Sequence, residues 1–218
     1  MKARFVCLAN SRKYNERCIA GIELREKSDG NYAVIKDGEI PKWIRPVSTC
    51  DHGEVPESQV SGISICDIVE IEIKNTCPNS FQTENVHYSS LKKVGSIALK
   101  NSNLNHFADK IHPKIFGNKG RAVCRDVIDD IDYSLMLLKP DSFEIKEQEY
   151  DEQDDIQLRG VFDYKGFKYN LPITDLSFLE RYPKNNTLLS NLFLTISLGG
   201  EFRGWHYKLI AGIIITKE

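Results

Sequence analysis

Apolar and polar residues alternate along residues 63–73, and this pattern constrains the fold more than any other feature of the chain. Successive side chains of a strand point to opposite faces, so the alternation predicts a strand with one buried and one wet face. Asp67 interrupts the apolar face and is expected near the strand start or beside a partner. Shorter apolar runs precede this strand at residues 5–9, 18–24, 32–35 and 42–47. So many short strands within about 75 residues, with almost no helical pattern, predict a small antiparallel barrel.

A second set of strands is predicted in the C-terminal part of the chain. Its apolar runs occupy residues 133–138, 142–145, 158–164, 167–171, 192–198 and 207–216. Residues 210–215 are apolar on both faces, which indicates a central strand. Thr174 and Asp175 are expected to cap a short helix that ends at Leu179 or Arg181, before Pro183. We expect loops or turns at residues 10–17, 147–155 and 199–204. This part again predicts a barrel of about five strands.

The dipeptide Lys165-Gly166 predicts a two-residue hairpin turn between two of these runs. The facing pairs are then Tyr164 with Phe167, Phe162 with Tyr169, and Asp163 with Lys168. All four aromatic side chains share one face of this hairpin. Such a face could stack unpaired bases, but a core face has the same pattern, and we favour the core.

The segment between the two sets of strands is basic. Residues 92–125 contain eight Lys or Arg and one acid, Asp109, whereas residues 126–163 contain thirteen acids and three Lys or Arg. The cations either form an electrostatic track for nucleic acid or belong to a solvated linker that pairs with the acidic loop 147–155. The spacing of Leu104, Phe107, Ala108 and Ile111 predicts a short amphipathic helix, and residues 126–128 one further helical turn.

The fold class that follows is mainly β, with two small antiparallel barrels joined by a basic, partly helical connection. We place the first barrel at residues 1–90, the connecting segment at residues 91–130 and the second barrel at residues 131–218.

Nine residues are candidates for contact with nucleic acid. Cationic side chains hold phosphate or carboxylate, and small polar groups at a strand end can be presented by a loop. Arg45 stands between Ile44 and Pro46, an unusual place for a purely solvated charge. The alternative for these cations is surface solubility and ion pairs with nearby glutamates. The candidates are Asn10, Ser11, Arg12, Lys13, Arg17, Trp43, Arg45, Trp205 and Lys208.

The six cysteines form no C-x-x-C pair, which indicates free thiols in a reduced, cytoplasmic protein. Cys50, Asp51 and His52 could be half of a metal site, but no partner pair stands at zinc-like spacing, so we favour an ordinary loop. No metal or cofactor is predicted. The chain shows no signal peptide and no apolar run long enough to span a bilayer, so a membrane partner is not expected.

Catalytic residues are not assigned from the sequence. Places to look are His52 with its two neighbours, or Asp175 with Glu201. An enzyme would bring Asn10, Arg45 and an acid, Glu54 or Asp175, together between the barrels. Gly199 and Gly200 do not form a phosphate loop, because no Walker lysine or G-x-G-x-x-G pattern accompanies them.

Several stretches resemble the bacterial family of dual OB-domain proteins. The similarity is carried by residues 7–13, 17–21, 43–47, 67–70, 196–199 and 207–211. Members of that family are described as nucleic-acid-modification or nucleic-acid-associated proteins. The resemblance implies two OB-like barrels, which often bind oligonucleotides on a strand face and its flanking loops.

The leading hypothesis is a nucleic-acid-binding module for single-stranded or modified nucleic acid. It would act beside a partner enzyme in a bacterial nucleic-acid modification or defence pathway. One alternative is an enzyme that acts on nucleotides or nucleic acid at a site between the barrels. The other is a protein-interaction adaptor with no affinity for nucleic acid.

Overall fold

The computed structural model describes residues 1–13, 16–49, 52–98, 100–150, 153–182 and 189–216. Its first half contains strands β1 (Lys2–Lys13), β2 (Glu16–Glu26), β3 (Tyr32–Val34), β4 (Lys36–Asp37), β5 (Ile40–Pro41), β6 (Trp43–Val47), β7 (Asp67–Thr76) and β8 (Asn85–Ser96), and helices α1 (Glu57–Val60) and α2 (Asn101–Leu104). Its second half contains strands β9 (Ala122–Cys124), β10 (Leu135–Leu138), β11 (Ser142–Tyr150), β12 (Gln153–Tyr164), β13 (Phe167–Pro172), β14 (Leu192–Phe202) and β15 (Trp205–Ile215), and helix α3 (Leu176–Arg181). Two 3₁₀ turns, Ile115–Gly117 and Arg125–Asp130, flank β9.

The N-terminal barrel is a closed ring of the strands β1, β2, β6, β8 and β7, in that order. Neighbours in the ring are antiparallel except β6 and β8, which run parallel with Arg45 opposite Asn85. If the five strands are numbered by their order in the chain, their order around the ring is first, second, third, fifth and fourth, which is a Greek-key path. The short helix α1 lies between the third and fourth strands of the ring.

The C-terminal barrel follows the same path with a broken first strand. Pro140 separates β10 from β11, and these two segments pair with different strands: β10 with β14, and β11 with β12. The ring continues through β13, and one parallel bridge, Ile173 to Ile210, links β13 to β15. Helix α3 again lies between the third and fourth strands. The expected pair of OB-like barrels is therefore confirmed, the first as a closed ring and the second as a curled sheet.

Strand β1 is buried on both faces because it serves both barrels. Phe5 and Cys7 point into the core of the N-terminal barrel. Val6 and Leu8 point the other way and pack with residues of the C-terminal barrel, among them Phe193. Since neither face meets water, the strand needs a continuous apolar run instead of an alternating one.

Several predictions about local structure are confirmed. The hairpin of β12 and β13 has the predicted register, and its turn residues Lys165 and Gly166 have positive φ angles of 49° and 81°, as a type I′ turn requires. The Asp175 carboxylate accepts a hydrogen bond from the Phe178 backbone N–H and caps α3. A 3₁₀ turn covers residues 126–128.

The prediction of loops at residues 10–17 and 147–155 is wrong for most of these residues. Residues 10–13 continue β1, where Ser11 faces Cys18 of β2. Residues 147–149 continue β11, where Glu147 faces Leu158 of β12. Backbone pairing extends both hairpins beyond their apolar parts, because ladder hydrogen bonds do not depend on side-chain polarity.

Other element boundaries also shift. The predicted strand at residues 63–73 begins only at Asp67, whose carboxylate accepts from the Ser64 N–H and pairs with Lys93 at 2.9 Å. The predicted amphipathic helix is the single turn α2, after which Phe107 is also buried. The predicted turn at residues 199–204 is shorter, since β14 runs to Phe202. Strand β8 runs to Ser96.

Candidate nucleic-acid interface

A cleft of about 670 Å³ lies between the two barrels. Strands β1, β6 and β8 of the N-terminal barrel form one wall, and strands β14 and β15 of the C-terminal barrel form the other. Its lining residues include Ser11, Arg12, Arg45, Val47, Asn85, His87, Leu198, Phe202 and Leu209. Three of the nine predicted contact residues, Ser11, Arg12 and Arg45, line this cleft.

Arg45 lies at the floor of the cleft and is only 3% exposed. Its Nη2 atom pairs with Glu84 Oε1 at 3.0 Å and donates to Ser134 Oγ at 2.8 Å. The Ser134 hydroxyl in turn donates to the Glu84 carboxylate. Because Glu84 neutralises the guanidinium and Ser134 belongs to the other barrel, Arg45 joins the barrels. A buried, neutralised arginine does not suit the phosphate contact expected for it.

Arg12 is the exposed cation of the cleft wall. It stands opposite Arg17 across the hairpin of β1 and β2, and Arg17 pairs with Glu57 at 2.6 Å. No ion pair to Arg12 is found among the described residues. Like charges directly opposite each other repel, so an anion bound at Arg12 would reduce the repulsion between Arg12 and Arg17. The side chain of Lys13 lies outside the described part of the structure.

Two exposed aromatic side chains stand at the tip of the hairpin of β14 and β15. Phe202 is 58% exposed and Trp205 is 45% exposed, and they face each other across the turn Arg203-Gly204. The Arg203 guanidinium lies 5.2 Å from the centre of the Phe202 ring. Phe202 also lines the cleft. An exposed aromatic pair beside a cation is the arrangement on which unpaired bases stack.

The remaining candidates have structural partners. Asn10 donates to the Ile63 carbonyl at 2.9 Å, and Trp43 packs against the apolar cluster between the barrels. Lys208 is fully buried, and its ammonium donates to the Ile115 carbonyl and to two oxygens of Asn118. Burial lowers the pKa of Lys208 to about 7. These three side chains therefore hold the fold together instead of facing a ligand.

The acids proposed for an enzyme are held by other groups. Asp175 accepts hydrogen bonds from the backbone N–H groups of Phe178 and Ile213, and burial raises its pKa to about 6. Glu201 pairs with Arg125 at 3.7 Å, and Glu54 accepts from the His52 N–H. Each acid thus has its own partner, and none of these contacts involves Asn10 or Arg45.

The metal hypothesis falls partly on Cys50 and Asp51, which lie outside the described residues. Within the described ranges, no cluster of three or more His, Cys, Asp or Glu is placed to hold a metal ion. The described cysteines are free thiols. No helix in the described part of the chain is long and apolar enough to cross a membrane.

The aromatic face of the hairpin of β12 and β13 belongs to the core, as favoured from the sequence. Phe162, Tyr164 and Tyr169 are all buried there. Among the described side chains, no ion pair joins the basic residues 92–125 to the acidic residues 147–155. Instead, Lys93 pairs with Asp67, and Arg125 pairs with Glu201.

Sequence reasoning missed four residues of this interface: Glu84, Asn85, Phe202 and Arg203. The first two could not be found, because their importance comes from a strand pairing with β6. The other two had a readable signal. Arg203-Gly204 between two aromatic residues has the form of a two-residue hairpin turn, which places both rings at the tip.

Comparison with known proteins gives a family and two similar structures. The model of the dual OB-containing domain matches residues 3–213. No curated protein sequence matches the chain. The crystal structure of the tetrameric p202 HIN2 is 8% identical with a TM-score of 0.31, over 96% of this chain and 87% of that chain. A replication protein A heterotrimer bound to ssDNA is 10% identical with a TM-score of 0.35, over 100% of this chain and 48% of that chain.

Proposed function

The chain belongs to the family of proteins with a dual OB-containing domain, and from that premise we propose that it binds single-stranded nucleic acid. The exposure of Phe202 and Trp205 carries the proposal. Two adjacent aromatic rings left in water at a hairpin tip gain apolar contact when bases stack on them. Buried rings in the core, by contrast, need no ligand.

The positions of the two hairpins support the same function. OB barrels bind oligonucleotides with the loop between their first and second strands and the loop between their fourth and fifth strands. The end of the hairpin of β1 and β2, with Arg12, is the first kind of loop in the N-terminal barrel, and the Phe202–Trp205 tip is the second kind in the C-terminal barrel. Both border the cleft. In this arrangement Arg12 holds a phosphate and the tip stacks the bases.

The partner enzyme, the pathway and the cellular location that we propose rest on the family resemblance described from the sequence. We propose a module that acts beside a partner enzyme in a bacterial modification or defence pathway, in the cytoplasm. Modified nucleic acid is a second candidate ligand on the same ground.

The experiment is fluorescence anisotropy of labelled single-stranded and duplex DNA and RNA, titrated with the protein at several salt concentrations. We expect tighter binding of single strands, with affinity that falls steeply as salt rises. Trp205→Ala should weaken single-strand binding by roughly 5- to 150-fold, which corresponds to about 1–3 kcal/mol for one stacked base.

The matched control is Ile156→Ala, which truncates a similarly exposed apolar side chain, 55% exposed, in the acidic hairpin of β11 and β12. This variant should bind like the wild type. The absence of binding at low salt would refute the proposal, and a protein that co-purifies with the chain would then favour the adaptor hypothesis. Equal affinity of Trp205→Ala and the wild type would refute the stacking site.

A further inference from the structure

The floor of the cleft contains two buried polar atoms that lack a partner among the described residues. They are Nε of Arg45 and Oδ1 of Asn85. Both side chains line the cleft, and they are only 3% and 5% exposed. Such groups are nearly always hydrogen-bonded in folded proteins, so each unpaired atom needs an explanation.

The two atoms belong to neighbouring residues. Arg45 and Asn85 are partners in the parallel pairing of β6 and β8, and parallel strands lie about 4.8 Å apart. One other nitrogen of each side chain has partners. Nη2 of Arg45 contacts Glu84 and Ser134, and Nδ2 of Asn85 donates to Gln82 Oε1 at 3.3 Å. One donor and one acceptor are thus left at opposing positions of two paired strands.

The charge at this floor selects the kind of group that fits there. Glu84 is buried and lies 3.0 Å from Arg45, so a phosphate at the floor would meet a carboxylate and lose much of the attraction to the guanidinium. A neutral group that offers an acceptor to Nε and a donor to Oδ1 has no such conflict. The edges of nucleobases present donors and acceptors side by side in this way.

We infer that the cleft floor binds the edge of an unstacked nucleobase, with Arg45 Nε–H as donor and Asn85 Oδ1 as acceptor. The inference rests on the proposed function and names the part of the nucleic acid that enters the cleft. The cleft volume of about 670 Å³ lies within the range of small-molecule sites. Val47, Leu198 and Leu209 supply apolar walls for the faces of the ring. Bases on the hairpin tip are held by stacking, whereas this base is held by its edge.

The test compares a short oligothymidylate with an abasic oligomer of the same length, which keeps the phosphates and lacks the bases. Asn85→Ala removes the acceptor, and it should weaken binding of oligothymidylate on the order of tenfold without changing binding of the abasic oligomer. The matched control is Gln82→Ala, which removes the same hydrogen bond to Asn85 Nδ2 but keeps Oδ1. This variant should bind both oligomers like the wild type.

A second variant covers the case in which Asn85→Ala does not fold. Asn85→Asp keeps the shape and the acceptor, so the ratio of the two affinities should stay at the wild-type value. If Asn85→Asp lowers the affinity for oligothymidylate relative to the abasic oligomer, the inference is overturned. An unchanged oligothymidylate affinity in folded Asn85→Ala would also overturn it, because solvent would then satisfy the floor atoms.

Failure of the inference differs from failure of the proposed function. If only the inference is wrong, Asn85→Ala binds both oligomers as the wild type does, and binding still quenches the fluorescence of Trp205 in a Trp43→Phe background. If the proposed function is wrong, the wild type binds neither oligomer and Trp205 shows no quenching, which refutes the inference as well.

Discussion

Arg45 is a charged residue that is kept inside the molecule by partners from distant segments of the chain. It is almost fully buried, and the Glu84 carboxylate and the Ser134 hydroxyl contact its Nη2 atom. Burying two charges costs solvation free energy, which their attraction and the added hydrogen bonds offset only while both charges are present. Removing one partner therefore has a larger effect than the geometry of one contact suggests.

At the residue scale we predict that Glu84→Gln destabilises the fold by about 3–5 kcal/mol, because it leaves the Arg45 charge buried without a counter-charge. The measurement is the free energy of unfolding in urea. Glu201→Gln is the matched control, because it breaks an exposed ion pair. The side chains of Arg125 and Glu201 are 67% and 44% exposed, so the loss should be less than about 1 kcal/mol. Equal losses in both variants would contradict the role assigned to the buried pair.

At the element scale, two hairpins occupy equivalent places in the two barrels but carry opposite charges. The hairpin of β1 and β2 joins the first two strands of the N-terminal barrel, and its end carries Arg12 and Arg17. The hairpin of β11 and β12 joins the first two strands of the C-terminal barrel, and glutamates precede its turn. A polyanion is attracted to the first hairpin and repelled by the second. We therefore expect the proposed ligand to lie along the first hairpin instead of the second.

We predict that Arg12→Glu weakens binding of single-stranded nucleic acid and reduces the magnitude of its salt slope by roughly 0.7 for the lost phosphate contact. Affinities from anisotropy at several salt concentrations give that slope. Arg25→Glu is the matched control, because it reverses an exposed charge at the opposite end of β2. The assignment of Arg12 as a phosphate contact fails if Arg12→Glu and Arg25→Glu reduce the affinity and the salt slope equally. Charge reversal at Arg45 is not a useful test, since it would unpair the buried Glu84.

At the scale of the whole molecule, the barrels approach each other so closely that one contact admits no side chain. Gly212 of β15 faces Leu8 of β1, and a Cβ atom at Gly212 would lie 2.2 Å from the Leu8 carbonyl oxygen. That same oxygen accepts a hydrogen bond from the Thr195 hydroxyl at 2.5 Å. Ala9 and Ala211, the chain neighbours of Leu8 and Gly212, belong to one small buried cluster with Ala20 and Leu135. The relative position of the two barrels, and hence the cleft, depends on this close approach.

Gly212→Ala should therefore destabilise the protein by about 1–3 kcal/mol or more, because the strands must separate to admit the methyl group. Urea unfolding measures the loss. Gly62→Ala serves as the control, since a Cβ there would meet no atom within 4 Å and should leave the stability nearly unchanged. A Gly212→Ala protein as stable as the control would show that the barrels can shift without cost.

The sequence by itself determined the local features of this protein. Strand periodicity predicted the two barrels, the Lys165-Gly166 turn predicted the register of its hairpin, and Asp175 predicted the start of α3. These features depend on backbone angles and on contacts between near neighbours, which a short stretch of sequence encodes. Most of the fold was accessible in this way, apart from the ends of strands.

Only the tertiary structure decided which polar residues face water. Arg45 and Lys208 were predicted to contact nucleic acid, but Glu84 and the carbonyl groups of Ile115 and Asn118 keep them inside. Ring closure then placed Asn85 beside Arg45, and the packing of the two barrels placed Phe202 at the cleft. The physical reason is that a charge can be buried only where the fold supplies its partner, and these partners come from segments far away in the chain.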